Sequence, residues 1–279
     1  MEMETIKITK ADLDKYIPAA KEAKGHVFNM LTAKFETGLE EAAVSLMGYS
    51  GTAAATNNPN SRLTELLKEM VTVRVFLDEM RGLDITITST GFGVVSTNDT
   101  APASKMRVDA LDGQLRVQYL RTRGKLLTEL FGVEGWGQEE VRYASVSTLF
   151  YDFRFLTEFA GKQAPLSKDW EDAAPAILDA DRELRGHISD DFMDELVEQM
   201  CTNSLTTENR PIVYQVRRYI GAAVQGKRDF MIEYLRRLMN CLEKDIESFP
   251  TYAGSEAYER NHFKPYENTQ DKGAFHFVG

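Results

Sequence analysis

The spacing most suggestive of chemistry is Gly91-Phe92-Gly93. A dinucleotide-binding fingerprint needs a third glycine three residues on, opening a helix. Position 96 is Ser96, and Val94 and Val95 precede it, so the pair reads as glycines of a hairpin turn. No GxxxxGK[ST] run occurs, which removes a P-loop. His26, His187, His262 and His276 stand in no metal-ligand spacing. Cys201 and Cys241 lie 40 residues apart, neither a disulfide framework nor a ligand pair, and read as small core hydrophobes. No GxSxG nucleophile motif is present. Carboxylate runs such as Glu40-Glu41 and Asp190-Asp191 read as solvated helix faces, and the sequon Asn98-Asp99-Thr100 as incidental. No catalytic residue, metal or cofactor is assigned, and the expectation is a protein that is not an enzyme.

One charged feature stands out. Lys105, Arg107, Arg116, Arg121, Arg123 and Lys125 gather positive charge on one predicted helix. They are read either as a solvated face paired with acidic neighbours or as a docking face for an acidic partner or duplex phosphates. The chain around them is acidic: 33 Lys and Arg against 43 Asp and Glu leave a net charge of −10 over 279 residues. That balance disfavours a dedicated nucleic-acid binder. With 43 % hydrophobic residues, disorder of the whole is excluded. No stretch approaches the ~18 apolar residues of a membrane span, and MEMETIKITK lacks the apolar region of a secretory signal, so the expected place of synthesis is the host cytoplasm.

The elements that must position these residues are mainly helical. Thr9 and Asp12 form a capping-box start. Leu13, Ile17, Ala20, Val27, Leu31, Phe35, Ala42 and Leu46 make one stripe, with Pro18 and Gly25 as breaks. GTAAATNNPN, residues 51–60, reads as a loop. Ser61 caps a second helix with Leu63, Leu66, Leu67, Met70, Val73, Leu77 and Met80 on its buried face. Residues 84–96 read as a β-hairpin. From Ser104 the helical period returns through Val108, Leu111, Leu115, Tyr119, Leu126 and Leu130, and Gly132 is the expected left-handed cap.

Residues 1–137 are taken as an amino-terminal helical domain and 138–165 as an aromatic-rich connecting segment. Residues 166–250 are taken as a carboxy-terminal helical domain, with helices over 170–201, 209–226 and 228–249. The last of these places Ile232, Leu235, Leu238, Met239, Leu242 and Ile246 on its buried side. Pro18 with Gly25-His26-Val27 and Pro175 with Gly186-His187-Ile188 hint at an internally duplicated helical unit. Residues 251–279 show no helical period and read as an extended arm. Phe263, Tyr266, Phe275, Phe277 and Val278 are its interface candidates.

The run Thr88-Ser89-Thr90-Gly91-Phe92-Gly93-Val94-Val95-Ser96, leading through Ala101-Pro102-Ala103-Ser104-Lys105-Met106-Arg107-Val108 into a long helix, resembles a family of virion-associated proteins. Tailed phages and prophages of Bacteroides and relatives encode that family. The resemblance covers about 25 of 279 residues strongly, and the family carries over no catalytic residue. It implies a structural role in the virion neck: a head–tail connector subunit in a ring, twelve-fold by analogy, beneath the portal protein and beside other neck or tail proteins. Non-specific contact with packaged DNA fits that role. Another virion position, such as tail completion or a capsid-associated protein, is the second reading. A soluble enzyme with a site of scattered residues is the third.

Overall fold

Thr9 opens the first helix: its hydroxyl accepts the Asp12 amide, and the Asp12 carboxylate accepts the Thr9 amide. The computed structural model describes residues 6–21, 26–83 and 104–262, and for Ile85–Thr88 and Gly91–Val94 the backbone alone. The cap starts α1 (Lys10–Tyr16), which a 3-10 turn at Pro18–Ala20 follows. Helix α2 (His26–Ala42) winds into a π-helical turn at Ala43–Met47. Next come α3 (Gly48–Asn57) and α4 (Arg62–Glu79), the latter capped by Ser61 accepting the Thr64 amide. Strand β1 (Ile85–Thr88) runs antiparallel to β2 (Gly91–Val94), pairing Ile85 with Val94 and Thr88 with Gly91. Gly91 and Gly93 therefore lie within a strand and not at the turn. No third strand joins them among the described residues, and a lone pair of short strands has little stability of its own.

Helix α5 (Lys105–Leu130) is the longest element described. It packs along α4, as do α1 and α2, so α4 is the spine of this half. Its buried Leu63, Leu66, Leu67, Met70 and Val73 are the residues the periodicity predicts, while Leu77 and Met80 are half-buried. Short helices α6 (Glu140–Ser145) and α7 (Phe155–Glu158) flank an irregular stretch. Phe150, Phe153, Phe155 and Leu156 there are buried, and Tyr143 is exposed. Then come α8 (Ser167–Ile188), α9 (Asp190–Cys201), α10 (Asn209–Val224), α11 (Arg228–Lys244), α12 (Pro250–Ala253) and α13 (Glu256–Asn261). Helix α10 packs against both α8 and α11. Buried side chains from α1 through α12 form one contiguous cluster, so the body is mainly helical around a shared core.

Several expectations are corrected. Residues 51–57 are helical, because the Glu139 carboxylate accepts the Tyr49 and Ser50 amides at 2.7 Å and completes the first turn of α3. Small residues let α3 pack close: a Cβ on Gly51 would lie 2.8 Å from the Leu130 side chain. The left-handed glycine after α5 is Gly135 at φ 85°, not Gly132. The helix expected over 170–201 breaks at Ser189, whose φ of 99° no α-helix can contain. Its hydroxyl then caps α9 by accepting the Phe192 amide.

Ile232 is 60 % exposed, whereas Leu238 and Leu242 are buried, because α10 covers only part of the wide apolar arc of α11. The duplication hint has no counterpart: His26 begins a helix while His187 ends one. Residues 251–261 are not extended, since α12 and α13 occupy them and dock on α9 and α8. Tyr252 is fully buried, with its ring against Phe192 and Tyr258.

Candidate docking surface

Helix α5 carries the six basic residues singled out above, and its geometry divides them. At about 100° per residue, Lys105, Arg116 and Arg123 fall on one flank, and Arg107, Arg121 and Lys125 on the other. The buried stripe of Leu115, Thr122 and Leu126 runs between the flanks. They are not one face.

The first flank is neutralised. Lys105 Nζ lies 2.7 Å from Asp109 Oδ2, and Arg116 Nε lies 2.5 Å from Asp112 Oδ2. Arg81 reaches both carboxylates, at 3.1 and 3.6 Å. The hydrogen bond from Lys105, aided by Arg81, holds Asp109 below its ordinary pKa, and that from Arg116 does the same for Asp112. Arg123 is half-buried and donates to the Ser145 carbonyl at 3.3 Å. Burial pulls its guanidinium below the ordinary value.

The second flank is exposed. Arg107, Arg121 and Lys125 make no ion pair or hydrogen bond among the described residues. Arg121 and Lys125 border a groove of about 740 Å³ that runs along the outer side of α5, with Gly113, Val117, Pro165 and Leu166 as its apolar lining. Arg121 also edges a smaller hollow of about 330 Å³ beside Arg154 and Glu158. Cations beside apolar wall suit an acidic partner surface or a phosphate chain. Phe263, Tyr266, Phe275, Phe277 and Val278 lie outside the described residues. The expected arm is thereby shortened: its first residues belong to the helical body.

Among the described residues, no group of three or more His, Cys, Asp or Glu could hold a metal ion, and no helix is long and apolar enough to cross a membrane. Cys201 is buried, which pushes its thiol up to about 11, and Cys241 is half-buried.

A segregation of charge in the second half is not visible one residue at a time. Residues 167–201, comprising α8 and α9, hold 11 Asp and Glu against 3 Lys and Arg, a balance of −8. Residues 209–237, spanning α10 and most of α11, hold 7 Lys and Arg against 2 Asp and Glu, a balance of +5. Summing charge helix by helix is the signal that finds it. On α11, Arg228, Ile232 and Arg236 follow at steps of four and share one exposed stripe. On α8, Leu178 is 50 % exposed, and Asp172 and Asp179 are exposed on the same helix.

Residues 30–133, from α2 through the end of α5, are similar to a protein family described as Family of unknown function (DUF6712). No curated protein and no solved structure matches the chain. The family likeness spans rather more than a third of the sequence and includes the whole of α5 with both its flanks.

Proposed function

We propose that this chain is a structural protein of a tailed-phage virion, a head–tail connector subunit that docks beneath the portal and helps form the DNA channel. The observation that carries the reading is the run from Thr88 to Val108 described above, whose family likeness is virion-associated and which leads directly into α5. The role is mechanical and not catalytic. In it, the hairpin at 84–96 is an insertion on a helical body, and residues 263–279 are an arm reaching into a neighbouring subunit. The flank of Arg107, Arg121 and Lys125 faces an acidic partner or the packaged DNA. The assembly is a homo-oligomeric ring, twelve-fold by analogy, and the protein passes from host cytoplasm to virion neck.

A ring of identical subunits uses a heterologous contact that closes only at the right rotation per interface. An arm that orders on binding spends its chain entropy at assembly and so locks late. Cryo-electron microscopy of the particle whose genome encodes this chain tests the reading. Expected is ring density between portal and tail with residues 263–279 crossing into a neighbour. Absence of the chain from purified virions overturns it.

A further inference from the structure

The basic and acidic helices of the second half are complementary surfaces on one chain. Neither Arg228 nor Arg236 makes an ion pair or hydrogen bond among the described residues, and exposed Ile232 lies between them. Lys227 and Phe230 lie on the other flank of α11, the Lys227 ammonium 5.3 Å from the ring centroid, and leave the stripe to the two arginines and Ile232. Arginine side chains on either side of an apolar centre are a composition that interfaces favour.

The α8 surface has the opposite polarity with the same plan. Leu178 is exposed on a face of α8 that also carries Glu171, Asp172, Asp179 and Glu183 against Lys168 and Arg182. Asp179 pairs with Arg182 at 3.2 Å, well exposed and weakly held, and Glu171 feels the charge of Arg116 on α5. No ion pair joins this surface to the α11 stripe within one molecule. The α11 stripe therefore lacks within its own copy the carboxylates that the α8 surface supplies.

We propose that copies of this chain associate head to tail, with the Arg228–Ile232–Arg236 stripe of α11 in one copy docked on the acidic surface around Leu178 on α8 of the next. The two patches differ, so the contact is heterologous and leaves a free patch at each end until the assembly closes. Opposite charge steers the encounter and rejects like surfaces, while Ile232 and Leu178 supply apolar burial at the centre. This deepens the ring reading, on which it rests for the closed geometry.

Two charge-reversed forms of the full chain test it: Arg228→Glu with Arg236→Glu, and Asp172→Lys with Asp179→Lys. All four positions are exposed, and circular dichroism verifies that each variant is folded. By sedimentation velocity at low ionic strength, the native chain should form species larger than a dimer that dissociate as salt rises. Each variant alone should associate about tenfold or more weakly. Mixed, the two variants should again form species larger than a dimer, because the intact contact alternates with one whose charges are reversed on both sides and so still opposite. A native chain that stays monomeric, or stops at a dimer, overturns the proposal. So does a mixture that stays monomeric. If the α11 variant associates normally but loses binding to a duplex DNA oligomer, the stripe belongs to nucleic acid and the proposal fails. Particle imaging tests the virion role separately, so a chain found in the neck with unchanged association would sink this contact alone.

Discussion

At the scale of single residues, two glycines separate close packing from open helix surface. A Cβ on Gly221 would stand 2.5 Å from the Phe159 carbonyl oxygen, where backbone has nowhere to go. Gly221→Ala should cost about 2 kcal/mol by overpacking. Gly186, inside α8, has nothing within 4 Å of that position. Gly186→Ala should instead gain roughly 0.5–1 kcal/mol from helix propensity, and urea denaturation of both variants checks the opposite signs. Glu139 makes a pH-dependent prediction. Burial pushes its carboxyl up, but the Ser50 hydroxyl and the Ser50 and Tyr49 amides outweigh that and hold its pKa low. A carboxylate with a lowered folded pKa contributes stability above its unfolded value of about 4.3 and loses it in acid. Glu139→Gln should therefore be less stable than the native chain by about 1 kcal/mol at pH 7, with the gap closing as pH falls through the folded pKa. Denaturation midpoints across that range measure it.

At the scale of elements, legibility followed the reach of the signal. The Thr9 and Ser61 caps bond three residues away, and both are readable in a short window of sequence. Helix α3 was missed because its cap, Glu139, lies about 90 residues downstream. The division of α5 into a paired and an open flank follows from helical geometry alone, but counting its basic residues conceals it. The break at Ser189 lies within the same short reach, its hydroxyl accepting the Phe192 amide, but the apolar period through Leu184, Ile188, Phe192 and Leu196 runs on across it and conceals it. Arg185 bonds Asp181 on its own helix at 2.8 Å and Asp194 on the next at 2.8 Å, clamping α8 to α9 across the turn. Burial opposes its charge, yet Asp181 and Asp194 hold the Arg185 guanidinium above its ordinary pKa. Arg185→Ala leaves buried Asp181 without its counter-ion and should cost about 3 kcal/mol. Thermal unfolding of that variant, set against Arg182→Ala at an exposed pair, separates the clamp from ordinary surface charge.

At the scale of the whole molecule, the described helices share one core, and truncation should show where it ends. Removing residues 251–279 takes away buried Tyr252 and Ala257 and should lower stability by about 3 kcal/mol or more. Removing residues 263–279 spares both, and in the proposed function it abolishes assembly; calorimetry and sedimentation of the two truncations check both halves of that statement. The family likeness ends at residue 133, three residues short of a junction that the amino-terminal half depends on. Trp136 donates its indole N–H to the Leu46 carbonyl at 3.0 Å, and Glu139 closes α3. During synthesis, α3 must therefore wait for those residues to be made. At about 5–20 residues per second, the 90 residues from Tyr49 to Glu139 take the ribosome several seconds. Through that interval the nascent chain holds an uncapped, alanine-rich segment beside the unfinished core. The same dependence means that a gene fragment cut at the limit of family likeness encodes α3 without the two side chains that finish it.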